Sequence, residues 1–479
     1  MDDLKRDKLE AFMSQIQAHD LDRLASAVEL DRVSGGTELP HETLLDVMRP
    51  ALRDHEQHSR IPTPERLFCT AFEDLLNALP NRRKQSGRIS RTSIRPMWIW
   101  LKETLLKDEL PNLEAQIGAL IAEGQMDEVA KIICDLQMVA GQMMRKYLLK
   151  AVQNEGEFEM LCNDLGGALV VADLHDMAMC LEAADWIGRI QANFEKPLLG
   201  FAEDDVRASH DFYLEMRAEM PDHSQYALLT LMGRMARPWE ILSLISSLEK
   251  DYEGFSISRQ DQAAVNDLLL DDVDITGLTL VGLQPDNVDI KKLLENLNLF
   301  VQITGGVVRG VGLQKDEGWG QRFRTTREAV AQQMGAFVEA LPAQILKSLP
   351  VKKIGGFGVR IPRVPDTSVA PTAYAVNVSV DLTKLFAELR FYADQTGFSA
   401  AYSRAAGEFD HSYELFKNDI LDHIRATSGR ERQNAEAFAE VLAQIGEEYR
   451  GPVEADMIRR RSATAAEEGV IVTELASGQ

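Results

Sequence analysis

No two cysteines in this chain form a Cys-x-x-Cys pair. Cys69, Cys134, Cys162 and Cys180 lie 18 to 65 residues apart, each inside an apolar run. That spacing excludes a zinc knuckle and a thioredoxin-like redox site, and predicts buried free thiols in a reducing compartment. Long hydrophobic runs are missing too. The most membrane-like stretch, Leu297 to Leu313, contains Asn298, Gln302, Arg309 and four glycines, which is too polar and flexible to span a bilayer. The opening residues, "MDDLKRDKLEAFMSQIQ", alternate charge with apolar side chains and lack the apolar core of a signal peptide. A soluble, cytoplasmic protein without a membrane span is expected.

Positive charge is the next shortage. With 52 Lys and Arg against 75 Asp and Glu, the net charge is −23. The summed field repels phosphates, which disfavours anionic membranes and duplex DNA as general partners. Hydrophobic residues at 45% and charged residues at 27% exclude wholesale disorder. A chain of 479 residues is long enough for several domains or one long array with a substantial core.

What is present is helical periodicity. Phe68, Phe72, Leu75 and Leu79 follow "TPE", where Thr63 suits the cap and Pro64 the first helical position. Ile94, Met97, Trp98, Leu101 and Leu105 repeat the pattern. Between Asp127 and Leu149 the stripe Val129, Ile132, Ile133, Leu136, Val139, Met143 and Leu148 is widened by Met138 and Met144, which predicts a helix buried on most sides. "TTRE" (Thr325–Glu328) and "SGRE" (Ser428–Glu431) have capping-box spacing. Beta signals are few; "YAVNVSVDL" alternates and predicts at most a minor β element near 374–382. The fold class is therefore all-α or predominantly α, a multi-lobed assembly of packed helices with Gly/Pro-rich linkers.

Glycine and proline set the expected divisions. They are an N-terminal helical segment (1–60), a main helical domain (61–303), a Gly-rich loop (304–320) and a helical segment (321–349). A Gly/Pro-rich linker (350–372), a C-terminal helical region (373–453) and a disordered tail (454–479) follow. "GALIAEGQMD" and "GALVVADLHD" align at a spacing of 49, but a third copy is missing, so no repeat array is inferred.

Motifs that would carry chemistry fail on their own geometry. "GGVVRGVGLQK" has the glycines of a phosphate loop, but Asp316 follows Lys315 where Ser or Thr is needed. His55 and His58 stand at i, i+3, not the i, i+4 of a helical zinc site. Glu38 and His41 surround Pro40, which spoils the Glu-x-x-His geometry that Glu408 and His411 retain. "GFSAA" (Gly397–Ala401) joins two helices, whereas a nucleophile elbow joins a strand to a helix, so Ser399 reads as a cap or first-turn residue. Asp271, Asp272 and Asp274 lack EF-hand spacing and read as a charged helix end. No catalytic residue, metal or cofactor is expected.

One stretch stands against the acidic background. From Leu75 to Lys102 no acid occurs, yet Arg82, Arg83, Lys84, Arg88, Arg91, Arg95 and Lys102 do, so the remainder of the chain carries −30. Three readings compete: internal pairing with surplus acids, docking of another protein, and contact with a polyanion. Trp100 lies about 200° around the helix from Trp98, on the side of Glu103 and Lys107, which predicts an exposed tryptophan beside arginines. Ser90, Thr92 and Ser93 add hydroxyls near the arginines. A second acid-free segment, Lys347 to Arg363, carries five cations and is read as paired within the chain. The functional expectation is a non-enzymatic interaction or scaffold protein. Its partner-binding residues are Arg82, Arg83, Lys84, Arg88, Arg91, Arg95 and Trp100, and its partner is a protein of acidic or mixed surface. The alternative is a regulator that binds nucleic acid or another polyanion through residues 82–102.

Overall fold

The computed structural model describes residues 9, 11–13, 16–52, 61–77, 83–252, 255–310, 318–353 and 363–477. They are predominantly helical and divide into two compact units, Met1–Leu269 and Leu270–Gln479. The division falls inside a helix, well before the glycine-rich stretch at 304–320.

The first unit opens with a helical hairpin, α1 (Ala18–Val33) and α2 (His41–Leu52), closed on its own core of Leu21, Ala25, Val28, Leu45 and Met48. His41 Nε2 lies 2.7 Å from Asp31 Oδ2, so this histidine joins the two helices. His55 and His58 lie outside the described residues. In α3 (Pro64–Phe68), Thr63 Oγ1 accepts the Arg66 N–H and Pro64 takes the first position, as the sequence predicts. Phe68, Phe72 and Leu75 are buried. The chain nevertheless leaves the α-helix after Phe68, tightens into a 3-10 turn over Cys69–Leu75, and continues as β1 (Leu76–Asn77). Leu79 is not among the described residues.

β1 pairs in parallel with β2 (Ile89–Ser90), Leu76 opposite Ile89 and Asn77 opposite Ser90. α4 (Ile94–Trp100) follows and runs into a π-helical turn, Leu101–Leu105. Next come α5 (Leu110–Ala122), α6 (Met126–Val152), α7 (Glu155–Leu165), α8 (Ala168–Glu182), α9 (Ala184–Asn193), α10 (Glu203–Glu219), α11 (Gln225–Arg234) and α12 (Ile241–Asp251). α13 (Arg259–Leu280) contains the division between the units. α6 packs along α8 at a glycine: a Cβ on Gly141 would lie 2.8 Å from the Glu182 nitrogen and 2.9 Å from the Ala178 oxygen. The predicted stripe of α6 is buried at Val129, Ile133, Leu136 and Leu148, but Met138 and Val139 are exposed. The helix is covered on one broad side only, not on most sides.

The second unit contains α14 (Ile290–Gly310), α15 (Gly318–Ile345), β3 (Val351–Lys353), β4 (Arg363–Pro365), α16 (Ala373–Leu389), α17 (Ala393–Thr396), α18 (Ser399–Ala426), α19 (Gly429–Arg450) and α20 (Pro452–Ser477). Several expectations are corrected here. The Gly-rich loop at 304–320 is helical at both ends: α14 continues to Gly310 and α15 begins at Gly318. "TTRE" does not start a helix; it lies within α15, where Thr325 Oγ1 bonds back to the Gln321 carbonyl. Ser428 does stand at the cap of α19, although its hydroxyl makes no capping bond. The linker at 350–372 holds an antiparallel pair, β3 with β4.

The stretch near 374–382, read as at most a minor β element, is the first half of α16. Among the described residues no strand pairs with it, Thr372 caps it by accepting the Ala375 N–H, and Ser379, Leu382, Thr383 and Phe386 form a buried helical ridge. The tail at 454–479 is likewise corrected as far as Ser477, where α20 ends. Ala455, Ile458, Ser462 and Ala465 are buried at a spacing of three and four as α20 packs on α18 and α19. Small side chains let these helices approach, and they leave little hydrophobic signal in the sequence. Asp271 and Asp274 are not at a helix end; inside α13 both pair with Arg322, and Asp274 also accepts the Thr326 hydroxyl. Ser399 is the first residue of α18, in line with the first-turn reading.

Candidate interaction face on the basic segment

The basic stretch is divided by the fold into an inner and an outer half. Lys84 belongs to the inner half. Its ammonium donates to the Arg88 carbonyl at 2.7 Å and to Asp173 Oδ1 at 2.8 Å, and it lies 2.5 Å from Asp176 Oδ2. Asp173 and Asp176 stand at i, i+3 on α8, where both face the segment and both are buried.

Each aspartate is also occupied by other donors. Asp173 Oδ2 accepts the Ser90 N–H at 3.0 Å and the Ser93 hydroxyl at 2.7 Å. Asp176 accepts the Gly87 N–H at 3.1 Å and the Tyr226 hydroxyl at 2.7 Å. Buried carboxylates are tolerated when paired and hydrogen-bonded, and these two meet both conditions. Burial pushes the Tyr226 hydroxyl well above its ordinary range, and the Asp176 charge adds to that shift. Burial does the same to the neighbouring Cys180 thiol. Gly87 is required in the turn: its φ is 74°, and a Cβ there would lie 2.8 Å from Leu229 Cδ1.

The outer half begins at Arg91. Arg91, Arg95 and Ile99 are exposed and recur every four residues, so they form one face over the 3-10 turn Arg91–Ser93 and α4. Neither arginine has an ion pair within 4 Å among the described residues. Lys102 continues this face and pairs with Glu114 of α5. Thr92 is exposed as well, whereas Ser90 and Ser93 are buried beneath it. Arg83 is exposed and Arg88 is half-buried. Arg82 lies outside the described residues.

Trp100 is corrected. It is 2% exposed, with its ring edge-on to Tyr147 of α6 at 5.4 Å, while Trp98 packs on Phe68 at 5.2 Å. α4 is covered from two directions, so the side opposite Trp98 is a second packing surface and not the solvent face. The Trp100 Nε1 is buried without a hydrogen-bond partner among the described residues. A wheel drawn from a single stripe could not anticipate the second neighbour.

Asp173 and Asp176 escaped the sequence reading although they carried a signal. Two aspartates one turn apart on the apolar text "ALVVADLHDMAMCLE" must either face water or find cations. Their cation is 89 and 92 positions away, which local pattern cannot identify.

Two of the five cations of the second basic segment meet acids at the surface. Lys347 pairs with Asp286 at 3.3 Å and Lys352 with Asp366 at 3.7 Å. Arg360 and the side chains of Lys353 and Arg363 are not described. Among the described residues no group of three His, Cys, Asp or Glu side chains could hold a metal ion, and no helix is long and apolar enough to cross a membrane. No protein-family model, curated protein or solved structure matches the chain.

Proposed function

We propose that this chain is a non-enzymatic interaction or scaffold protein of the cytoplasm, and that its contact face is the outer half of the basic segment. One observation carries the reading. Arg91 and Arg95 are exposed without an ion pair within 4 Å, on a segment whose underside is fastened by Lys84, Ser90 and Ser93 to two buried aspartates. Guanidinium groups on a fixed backbone lose less freedom on binding than groups on a loose loop. Each can take a carboxylate through two parallel hydrogen bonds.

Ile99 extends the face with apolar surface and has no use in gripping a phosphate backbone. The −23 charge of the whole chain also opposes a polyanion. A protein surface that is acidic with an apolar centre therefore fits better than nucleic acid. Trp100 has no part in this contact, and Lys84 serves it only by holding the segment in place.

The test is capture from the native cell by the wild-type chain and by an Arg91→Glu, Arg95→Glu variant, with partners read by mass spectrometry and the 260/280 nm ratio. A protein partner lost in the variant, at unchanged thermal stability, supports docking. Nucleic acid in the wild-type eluate alone would replace this reading with polyanion binding, and so would a steep loss of binding with salt. Identical eluates from two equally stable proteins would refute the face.

A further inference from the structure

Beside the arginine face, α3, the 3-10 turn, β1 and the start of α4 border an open pocket of about 380 Å³. Four charged side chains line it: Glu65, Glu73, Arg66 and Arg91. None of the four has an ion pair within 4 Å among the described residues. Glu65 is half-buried, while Arg66, Glu73 and Arg91 reach toward solvent at the rim of this one concavity. The apolar part of the wall comes from Leu76 and Ile94.

Two acids and two bases that leave one another unpaired define the complementary ligand. A simple anion would face Glu65 and Glu73, and a simple cation would face the arginines; each would meet like charge at a cost. A molecule with an ammonium and a carboxylate on an apolar body meets both signs and covers Leu76 and Ile94. The volume is at the small end of the roughly 300–1,000 Å³ typical of ligand sites, so the molecule is small.

We propose that this pocket binds a small zwitterion with an apolar side chain, of the size of a free amino acid or dipeptide. Glu65 takes the ammonium, and Arg66 and Arg91 take the carboxylate. Burial raises the Glu65 carboxyl above its ordinary range, against the opposing pull of Arg95, so a ligand cation would relieve a carboxylate that the fold has partly stripped of water. The inference goes beyond protein docking and shares only Arg91 with it.

The experiment is titration of the full chain, by calorimetry and saturation-transfer NMR, with four probes: L-leucine, L-leucyl-L-leucine, N-acetyl-L-leucine and L-leucinamide. The last two each lack one of the two charges. L-leucine or the dipeptide should bind, with each single-charge analogue at least about tenfold weaker, a difference of ~1.4 kcal/mol. Glu65→Gln should abolish the preference for the zwitterion over N-acetyl-L-leucine, and Arg91→Ala the preference over L-leucinamide. No binding of either zwitterion at about 10 mM, ten times the ~1 mM dissociation constant of a weak site, would overturn the proposal. Equal affinity for all four probes would also overturn it. So would affinities unchanged in both variants, whose folding is checked by circular dichroism. Glu65→Gln leaves the Arg91–Arg95–Ile99 face intact, so failure here and failure of the docking reading are separable.

Discussion

Lys84 in the first unit and Arg459 in the second make a useful pair. Each is one cation serving several carboxylates. Lys84 is 23% exposed and its two aspartates 4% each. Arg459 is 41% exposed, and its partners Glu440, Glu447 and Asp456 are 45%, 46% and 60% exposed. A contact diagram would rank Arg459 higher, because it has more partners. Solvent reverses that order. Around Arg459 water already satisfies every charge, so the pairs replace good hydration with something only slightly better. Around Lys84 water is largely excluded, and removing the cation leaves two carboxylates facing each other with only neutral donors to hold them. The first arrangement decorates a surface; the second fixes where a chain segment lies.

The contrast can be broken most readily at Lys84. Lys84→Met should cost about 3–5 kcal/mol in urea unfolding, the scale for one partner removed from a buried pair. A loss below about 1 kcal/mol would mean that the aspartates are wetter than the structure indicates. Gly87→Ala should cost about 1–2 kcal/mol, because alanine is strained at positive φ and its Cβ must displace the end of Leu229. Thermal melts compared with those of Gly282→Ala sharpen this, since Gly282 shares the positive φ but has open space around its Cβ. The difference between the two variants isolates the crowding. Arg459→Ala should change stability by no more than roughly 0.2–1 kcal/mol. Its effect should vanish near 1 M salt, where the screening length is about 3 Å, while that of Lys84→Met persists.

The sequence was readable where a signal depends on neighbours along the chain. Thr63 and Pro64 mark the start of α3, Ser428 marks the start of α19, and the apolar stripe of α6 gives its length. It failed where a distant element decides. Trp100 is buried because Tyr147 lies across it, and the valines at 376–380 belong to a helix whose buried ridge of Ser379, Leu382, Thr383 and Phe386 is set by what packs against it. α20 is silent for a third reason: Ala455, Ser462 and Ala465 pack by being small, which hydrophobicity does not record. For the candidate face, the arginines were visible as a composition anomaly. Which of them are exposed depends on Asp173 and Asp176, and no short-range rule reaches that far.

That separation also has a consequence in time. Asp173 follows Lys84 by 89 residues, and Tyr226, which steadies Asp176, comes 50 residues after that aspartate. At a synthesis rate of about 5–20 residues per second, the basic segment leaves the ribosome roughly 4–18 s before its aspartates exist. During that interval the newborn chain carries its only dense cluster of cations without the two carboxylates that will hold it, close to ribosomal RNA. The segment is fastened when α8 arrives, and its packing is completed only by α11, which carries Tyr226 and Leu229.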